Sequence, residues 1–200
     1  MSTRLKAILE AALLASGKPL TLEVLIKVVG SDTEQPPAKS EIKAALESLE
    51  EDCAERGVEL QQVASGYRFQ VKAEFAAEIE SLWDEKPPRY TRALLETLAL
   101  IAYRQPVTRA EVEDVRGVSV SSSIIKTLSE REWIQVIGYR EVPGRPALYA
   151  TTKAFLDYFN LHSLNDLPSL AQLQDIDSIP ALALTEEVEP EVMGSEEMTH

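Results

Sequence analysis

The chain has 200 residues, of which 44% are apolar, and a formal net charge of −13. This size and composition suffice for one or two compact cores, but no stretch reaches the roughly 18 uncharged apolar residues of a membrane span. The N-terminal apolar run contains Glu10, unlike a secretory signal, and the single cysteine, Cys53, cannot form an internal disulfide. We therefore expect a cytoplasmic globular protein with no membrane contact.

The first half begins with two predicted helices. Apolar residues recur at i, i+3 and i+4 from Leu5 to Leu13, which indicates an amphipathic helix. In "GKPLTLEVLIKVVG", Thr21 is placed to cap a second, short helix with its hydroxyl. Gly30 is predicted to end that helix in the left-handed conformation.

A third helix and a β-hairpin follow in the first half. The helix is predicted over residues 39–56, with Cys53 on its apolar face as a small core residue. The strings "VELQQV" and "YRFQVK" lie on either side of "ASG" and predict a hairpin, because the second alternates apolar and polar residues. "EFAAEIESLW" predicts one more helix, and Pro87 with Pro88 marks a linker.

The second half repeats this order at an offset of 87 residues. The matched positions are Pro19 and Pro106, Thr21 and Thr108, and Gly30 and Gly117. Helices are predicted over residues 94–102 and 119–131, with a short helix between them that Thr108 caps and Gly117 ends. "WIQVIGY" and "ALYAT" flank the proline-rich hairpin tip "REVPGRP", and "TKAFLDYF" predicts the last helix.

Three helices followed by a two-stranded wing make a winged helix. The predicted fold is therefore mainly α with small β-hairpins (α+β), arranged as two tandem winged-helix domains at residues 1–86 and 87–167. Residues 168–200 carry eight acidic residues and no basic or aromatic one, so they are predicted to form a disordered acidic tail. The apolar string "IPALAL" leaves open a tail peptide that folds on a partner.

The usual function of a winged helix is DNA binding through its third helix. The predicted third helix of the first half carries six acidic residues, which a phosphate backbone would repel. The corresponding helix of the second half offers only Lys126 and Arg131. A winged-helix DNA-binding transcriptional regulator is therefore the alternative, and protein recognition in a groove between helix and wing is the main interpretation.

Motifs for catalysis are absent from the sequence. The two histidines, His162 and His200, form no plausible Ser-His or Cys-His pair, and no cluster has the spacing of metal ligands. No glycine-rich nucleotide-binding string occurs. We therefore predict no catalytic, cofactor-binding or metal-binding residues and a protein that is not an enzyme.

Two long strings resemble the segregation and condensation protein B (ScpB) family: "LLETLALIAYRQPVTRAEVEDVRGV" and "VPGRPALYATTKAFLDYFNLHSLNDLPSL". The first half matches more loosely, through "LEAALLASGKPL" and "GYRFQV", and the resemblance covers residues 3–170. It implies a non-enzymatic subunit of the bacterial Smc complex, in the cytoplasm and on the nucleoid. The implied role is chromosome condensation and segregation, with effects on cell division.

The resemblance also implies partners. Such proteins form homodimers through their first unit and bind the kleisin ScpA, which bridges the heads of the Smc ATPase, so that DNA is contacted only indirectly. We expect kleisin binding near Tyr103, Arg104, Ile125 and Arg145, the last at the exposed tip of the second wing. For the homodimer we expect the first helix, from Leu5 to Leu14, whose apolar residues exceed one core face, with deep burial as the alternative. The residues concerned are Leu5, Ile8, Leu9, Ala12 and Leu13.

Overall fold

A computed structural model describes residues 3–31, 36–82 and 90–169. The linker predicted at the two adjacent prolines and residues 170–200 of the tail predicted from residue 168 lie outside these residues. We call residues 3–82 the first unit and residues 90–169 the second unit. Their element order confirms the predicted α+β class, with two winged helices in tandem.

The first unit contains three helices, a hairpin and a short helical segment. These are α1 (Thr3–Ser16), α2 (Leu22–Gly30), α3 (Lys39–Asp52), β1 (Val58–Val63), β2 (Gly66–Val71) and α4 (Ala76–Ile79). Thr21 caps α2 as predicted, because its hydroxyl oxygen accepts a hydrogen bond from the Val24 amide at 3.3 Å. The third helix is shorter than predicted and ends at Asp52. The last helix is reduced to α4 between two 3-10 turns, Ala73–Phe75 and Glu80–Leu82.

The prediction that Gly30 ends α2 in the left-handed conformation was wrong. Helix α2 includes Gly30, and its C-cap, Ser31, has a right-handed φ of −61°. A Cβ built on Gly30 would lie 3.1 Å from the Cβ of Pro36. The glycine therefore leaves room for the chain that returns at Pro36, and it does not reverse the backbone.

The second unit follows the same plan with one more strand. Its elements are α5 (Arg92–Arg104), β3 (Val107–Thr108), α6 (Arg109–Arg116), α7 (Ser122–Glu130), β4 (Ile134–Tyr139), β5 (Ala147–Thr151) and α8 (Lys153–Tyr158). Both predicted signals at α6 are confirmed: Thr108 caps it in a capping box with Glu111, and Gly117 ends it with a left-handed φ of 71°. Helix α7 starts later than predicted because Ser121 is its N-cap.

Each wing pairs with the residue that precedes the threonine cap of its unit, a pairing that the sequence analysis did not predict. In the second unit Val107 lies opposite Tyr149, which makes a three-stranded antiparallel sheet in the order β3-β5-β4. In the first unit Leu20 and Tyr67 form an isolated bridge, with two amide-to-carbonyl hydrogen bonds of 2.9 Å. Leu20 and Val107 are related by the repeat offset, so this edge pairing belongs to the repeat.

Each unit has its own apolar core. The buried residues of the first core are Leu9, Leu13, Leu20, Leu25, Ile42, Ala45, Leu46, Leu49 and Leu60. Those of the second are Leu94, Leu98, Ile101, Ala102, Val107, Val112, Val120, Leu128, Trp133, Ile134 and Phe155. Cys53 is buried at the end of α3, as predicted.

The two units meet through polar contacts between the first wing and the segment that ends α8. The Ala64 amide donates to the Leu161 carbonyl at 3.0 Å, and the Ser65 amide donates to Oδ1 of Asp157 at 2.9 Å. Nη2 of Arg68 donates to the Asp157 carbonyl at 2.9 Å. These bonds fix the turn of the first wing against the second unit.

Candidate protein-interaction surface

Tyr103, the first of the residues expected to bind kleisin, lies on α5 beside an apolar groove. Its hydroxyl donates to the Pro168 carbonyl at 2.6 Å, which ties the end of the described chain to α5. The groove has a volume of about 280 Å³ and is lined almost entirely by carbon. Its lining residues come from α5 and from α8 with the segment that follows: Leu95, Leu98, Ala99, Ala102, Tyr103, Phe155, Phe159, Leu161 and Leu167.

Arg104 is next to Tyr103 in sequence but faces a different cavity. This cavity, of about 340 Å³, lies between the end of α5 and α6. Glu111, Asp114 and Val115 line it together with Arg104, which is exposed. Tyr103 and Arg104 therefore line two separate cavities, although they are adjacent on α5.

Ile125 and Arg145 lie on the third helix and the wing of the second unit. Ile125 is half-buried and packs against the core, so only part of its side chain can reach a partner. Arg145 is exposed at the wing tip, as expected, with a left-handed φ of 38° next to Gly144 at 85°. Its guanidinium carbon lies 6.0 Å from the ring centroid of Tyr139. No hydrogen bond or ion pair within the described ranges joins any two of Tyr103, Arg104, Ile125 and Arg145.

Most cations of the second unit are paired with carboxylates of the same unit. The ion pairs are Arg92 with Glu96, Arg109 with Glu113, Arg116 with Glu96, Lys126 with Glu130, and Arg140 with Glu111. Within residues 90–169, Arg104, Arg131, Arg145 and Lys153 have no described carboxylate within 4.0 Å. Arg131 instead stacks on Tyr90, with its guanidinium carbon 4.7 Å from the ring centroid. The four unpaired cations of residues 90–169 are therefore spread over α5, the end of α7, the wing tip and α8, and do not form one basic surface.

Two carboxylates of α6 hold local structure and have lowered pKa values. Hydrogen bonds from the Thr108 amide and hydroxyl lower the pKa of Glu111, with a smaller effect from Arg140. The Val120 amide, at 2.8 Å, lowers the pKa of Glu113, and Arg109 adds to the effect. Because Arg140 lies after β4, its pair with Glu111 also fastens the second wing to α6.

The third helix of the first unit presents an acidic surface, as the sequence indicated. Glu47, Glu50 and Glu51 are exposed on α3. Glu47 and Glu50 line a cavity of about 390 Å³ between α3 and the wing, together with Lys43 and Tyr67. Partial burial raises the pKa of Tyr67, and the two glutamates raise it further. This helix-to-wing groove would repel phosphate and attract a cationic partner.

The residues expected at the homodimer interface lie mostly inside the first unit. Leu9 and Leu13 are 0% and 3% exposed and belong to its core, while Leu5 and Ala12 are partly buried against that core. Ile8 is also half-buried. The outer face of α1 instead carries Ala7, Ala11 and Leu14, of which Leu14 is 61% exposed. Those residues are the part of α1 that a partner can reach.

The second unit contains an aromatic cluster that the sequence analysis did not predict as a unit. Trp133 is buried, and its ring centroid lies 5.1 Å from that of Tyr90, 4.6 Å from that of Tyr158 and 5.3 Å from that of Phe159. Burial raises the pKa of Tyr90 to about 12, and the hydrogen bond with Tyr158 adds to the effect. The density of aromatic residues in "TKAFLDYF" was the available signal. Nothing in the sequence indicated that Tyr90 packs against Trp133 and Tyr158.

The described residues also bear on metal sites and membrane spans. Among residues 3–31, 36–82 and 90–169, no group of three or more His, Cys, Asp or Glu side chains could hold a metal ion. No helix within those ranges is long and apolar enough to cross a membrane. The surfaces that do stand out are the acidic groove, the apolar groove and the exposed arginines.

These features define a class: a tandem winged-helix protein with an acidic third helix and mostly paired cations. The family model for "Segregation and condensation complex subunit ScpB" matches residues 7–170. The "Segregation and condensation protein B homolog" of Coxiella burnetii is 57% identical over 176 residues, which cover 88% of this chain and 83% of that protein. The chain therefore belongs to the ScpB family of segregation and condensation proteins.

Two solved structures are also similar. ScpB from Mycobacterium tuberculosis is 39% identical, with 78% of this chain and 95% of that chain covered and a TM-score of 0.35. A dimer of an ScpB N-terminal domain complexed with an ScpA peptide is 30% identical, with 44% of this chain and 100% of that chain covered and a TM-score of 0.37.

Proposed function

We propose that this chain is a non-enzymatic subunit of an Smc–ScpA–ScpB complex that binds the kleisin ScpA as a homodimer. In this role it supports chromosome condensation, segregation and cell division in the cytoplasm, associated with the nucleoid. Its contact with DNA is indirect, through Smc, which ScpA connects to it. Membership of the ScpB family, over a match that spans both units, is the basis of this proposal.

The distribution of charge supports recognition of a protein partner and not of DNA. A DNA-binding winged helix needs several unpaired cations on its third helix and wing. Here α3 exposes acidic residues, and Lys126, a cation of α7, is 3.7 Å from Glu130. A protein partner has no such requirement, and it can use isolated arginines as charged anchors at the interface.

Arg104 and Arg145 are the anchors that we propose for ScpA. Both are exposed, and both are among the few cations of the second unit without a described carboxylate partner. Tyr103 and Ile125, which are partly buried, complete the proposed surface with apolar area. A carboxylate of the kleisin opposite either guanidinium would form a charge-assisted pair.

For the homodimer we propose the first unit, with the outward face of α1 as the contact. The ScpB N-terminal domain named above is described as a dimer with an ScpA peptide. In this chain Leu14 is the large apolar residue exposed on α1, flanked by the small exposed residues Ala7 and Ala11. Leu9 and Leu13 contribute by holding α1 on its own core, and they do not reach the partner.

The test of the kleisin surface is a pull-down of full-length ScpA by the full chain. Arg104→Ala and Arg145→Ala together should reduce binding about tenfold or more, since each removes a charged anchor. The control is Lys153→Ala, which removes another exposed cation without a described carboxylate partner. The homodimer mass should stay unchanged in all variants. Unchanged ScpA binding by the double variant would overturn the assignment of this surface.

A further inference from the structure

The apolar groove beside α5 is left uncovered by the described chain. An exposed groove lined almost wholly by carbon can accept apolar side chains. Ala99 and Phe159 are exposed in it, and Phe155 is buried beneath. No other part of residues 3–169 that the structure describes supplies the missing cover.

Residues 161–168 bring the chain to one end of this groove. After α8, the Asp166 carboxylate accepts hydrogen bonds from the amides of His162 and Ser163, at 2.8 and 2.9 Å, and closes a tight turn. This turn places Leu167 in the lining of the groove. The next carbonyl, that of Pro168, accepts the hydrogen bond from Tyr103. The chain from residue 170 onward therefore starts at one end of the groove.

The sequence that follows can present an apolar side to such a groove. In "LAQLQDIDSI", Leu170, Leu173, Ile176 and Ile179 recur at every third residue. In an α-helix this spacing spreads them over one half of the circumference, with Leu173 and Ile176 at its centre and Gln172 and Asp177 near its edges. From Tyr103 back to Leu95 the groove follows α5 for about 12 Å, and ten residues in a helix span about 15 Å. The lengths match. Tethering also gives this segment a high effective concentration at the groove.

We propose that residues 170–179 dock in the apolar groove between α5 and α8 of their own chain, with Leu173 and Ile176 facing Ala99, Phe159 and Leu161. The segment runs back along α5 from Tyr103 towards Leu95. This proposal concerns the protein alone and is tested without ScpA, and Tyr103 borders both this groove and the surface proposed for ScpA. The acidic residues beyond residue 185 then extend from a fixed point on the second unit.

Hydrogen–deuterium exchange of the full chain tests the proposal. Amides of residues 170–179 should exchange about tenfold more slowly than expected for an unstructured peptide, whereas those of 190–199 should not be slowed. Ala99→Arg, which fills the groove at an exposed helical position, should abolish that protection. Ala110→Arg is the matched control, since Ala110 is also exposed, on α6, and does not line the groove.

A second pair of variants changes the tail and leaves both folded units intact. Leu173→Glu should remove the protection, while Gln174→Glu, which adds the same charge beside the apolar row, should preserve it. The proposal is overturned if residues 170–179 exchange at the unstructured rate in the unmodified chain, or if Ala99→Arg leaves their protection unchanged. Protection that increases with protein concentration would also overturn it, because the occupant would then come from a second copy.

Discussion

The two units share one backbone plan but expose different charges at the place where a winged helix meets DNA. On α3 the exposed residues include Glu47, Glu50 and Glu51. On α7 the only cation within its bounds is Lys126, which pairs with Glu130 at 3.7 Å. The features preserved at the repeat offset are the threonine caps and the edge pairing of the wing. The surface charge is not preserved, so the repeat maintains the fold and leaves the binding surface free to diverge.

The wings are also anchored differently. In the first unit the whole edge contact is the bridge between Leu20 and Tyr67, and Gly66 lies directly against it. In the second unit two residues, Val107 and Thr108, pair with β5, and the ion pair of Arg140 with Glu111 adds a further attachment. Within its own unit the edge contact of the first wing therefore depends on one glycine, whereas the second wing is attached to its unit at several points.

Replacement of Gly66 should have the largest effect and should act on the first unit. Its φ is +133°, and an added Cβ would lie 2.1 Å from the Leu20 carbonyl oxygen, so Gly66→Ala must break the bridge. We expect the first unit to lose about 4 kcal/mol of unfolding free energy, measured by denaturant titration. Gly138→Ala in the second wing is the control, because nothing lies within 4 Å of its added Cβ. Equal stability of the two variants would contradict the difference in wing anchoring.

The two faces of α1 should respond differently to truncation. Leu9→Ala removes a fully buried side chain and should cost about 2–5 kcal/mol of unfolding free energy without changing the dimer mass at concentrations where the protein is folded. Leu14→Asp, on the exposed face, should change stability by less than about 0.5 kcal/mol but convert dimer to monomer in sedimentation. A dimer that survives Leu14→Asp would place the interface away from this face of α1.

Acid should weaken the second unit more than the first. Hydrogen bonds in the folded state lower the pKa of Glu96, Glu111, Glu113 and Asp166 in the second unit, and of Glu23 in the first. A carboxylate whose pKa is lowered by folding stabilises the folded state above its ordinary pKa, which is 4.5 for glutamate, and this stabilisation is lost as the pH falls through the folded pKa.

Peptide-resolved exchange between pH 6 and pH 3, corrected for intrinsic rates, measures this difference. Peptides of α6 should lose protection before those of α2. Glu111→Gln should remove part of the dependence on pH, because the amide does not titrate while it retains an oxygen that can accept from Thr108. Equal loss of protection in both units would show that these capping carboxylates do not set the acid stability of the second unit.

Local signals in the sequence were sufficient for the main helices, the two hairpins and their order. Threonine caps, strand alternation and the repeat offset depend on neighbouring residues, so they could be recognised without a structure. Gly30 was misassigned because a helix-ending glycine and a glycine that leaves room for Pro36 look alike in sequence. The edge pairing of Leu20 and Val107 was missed because one or two residues carry no detectable alternation.

Contacts between distant residues could not be predicted. The hydrogen bond of Arg68 to the Asp157 carbonyl joins residues 89 positions apart, and no pattern in either segment indicates it. The apolar groove likewise exists only because α8 and Leu167 pack beside α5. For the proposed dimer contact, the sequence could not distinguish the two faces of α1, because Leu9 and Leu14 are equally apolar and differ only in burial.

The central claim is that this chain recognises protein and does not bind DNA by itself. Its most direct test compares two titrations of the full chain at physiological salt, one with the central segment of ScpA and one with duplex DNA. We predict a stable complex with the ScpA segment, and DNA binding no stronger than a Kd of about 10⁻⁴ M, the weak end of nonspecific association. Tight, salt-sensitive DNA binding by the chain alone, without a stable complex with the ScpA segment, would contradict the account and favour a winged-helix regulator.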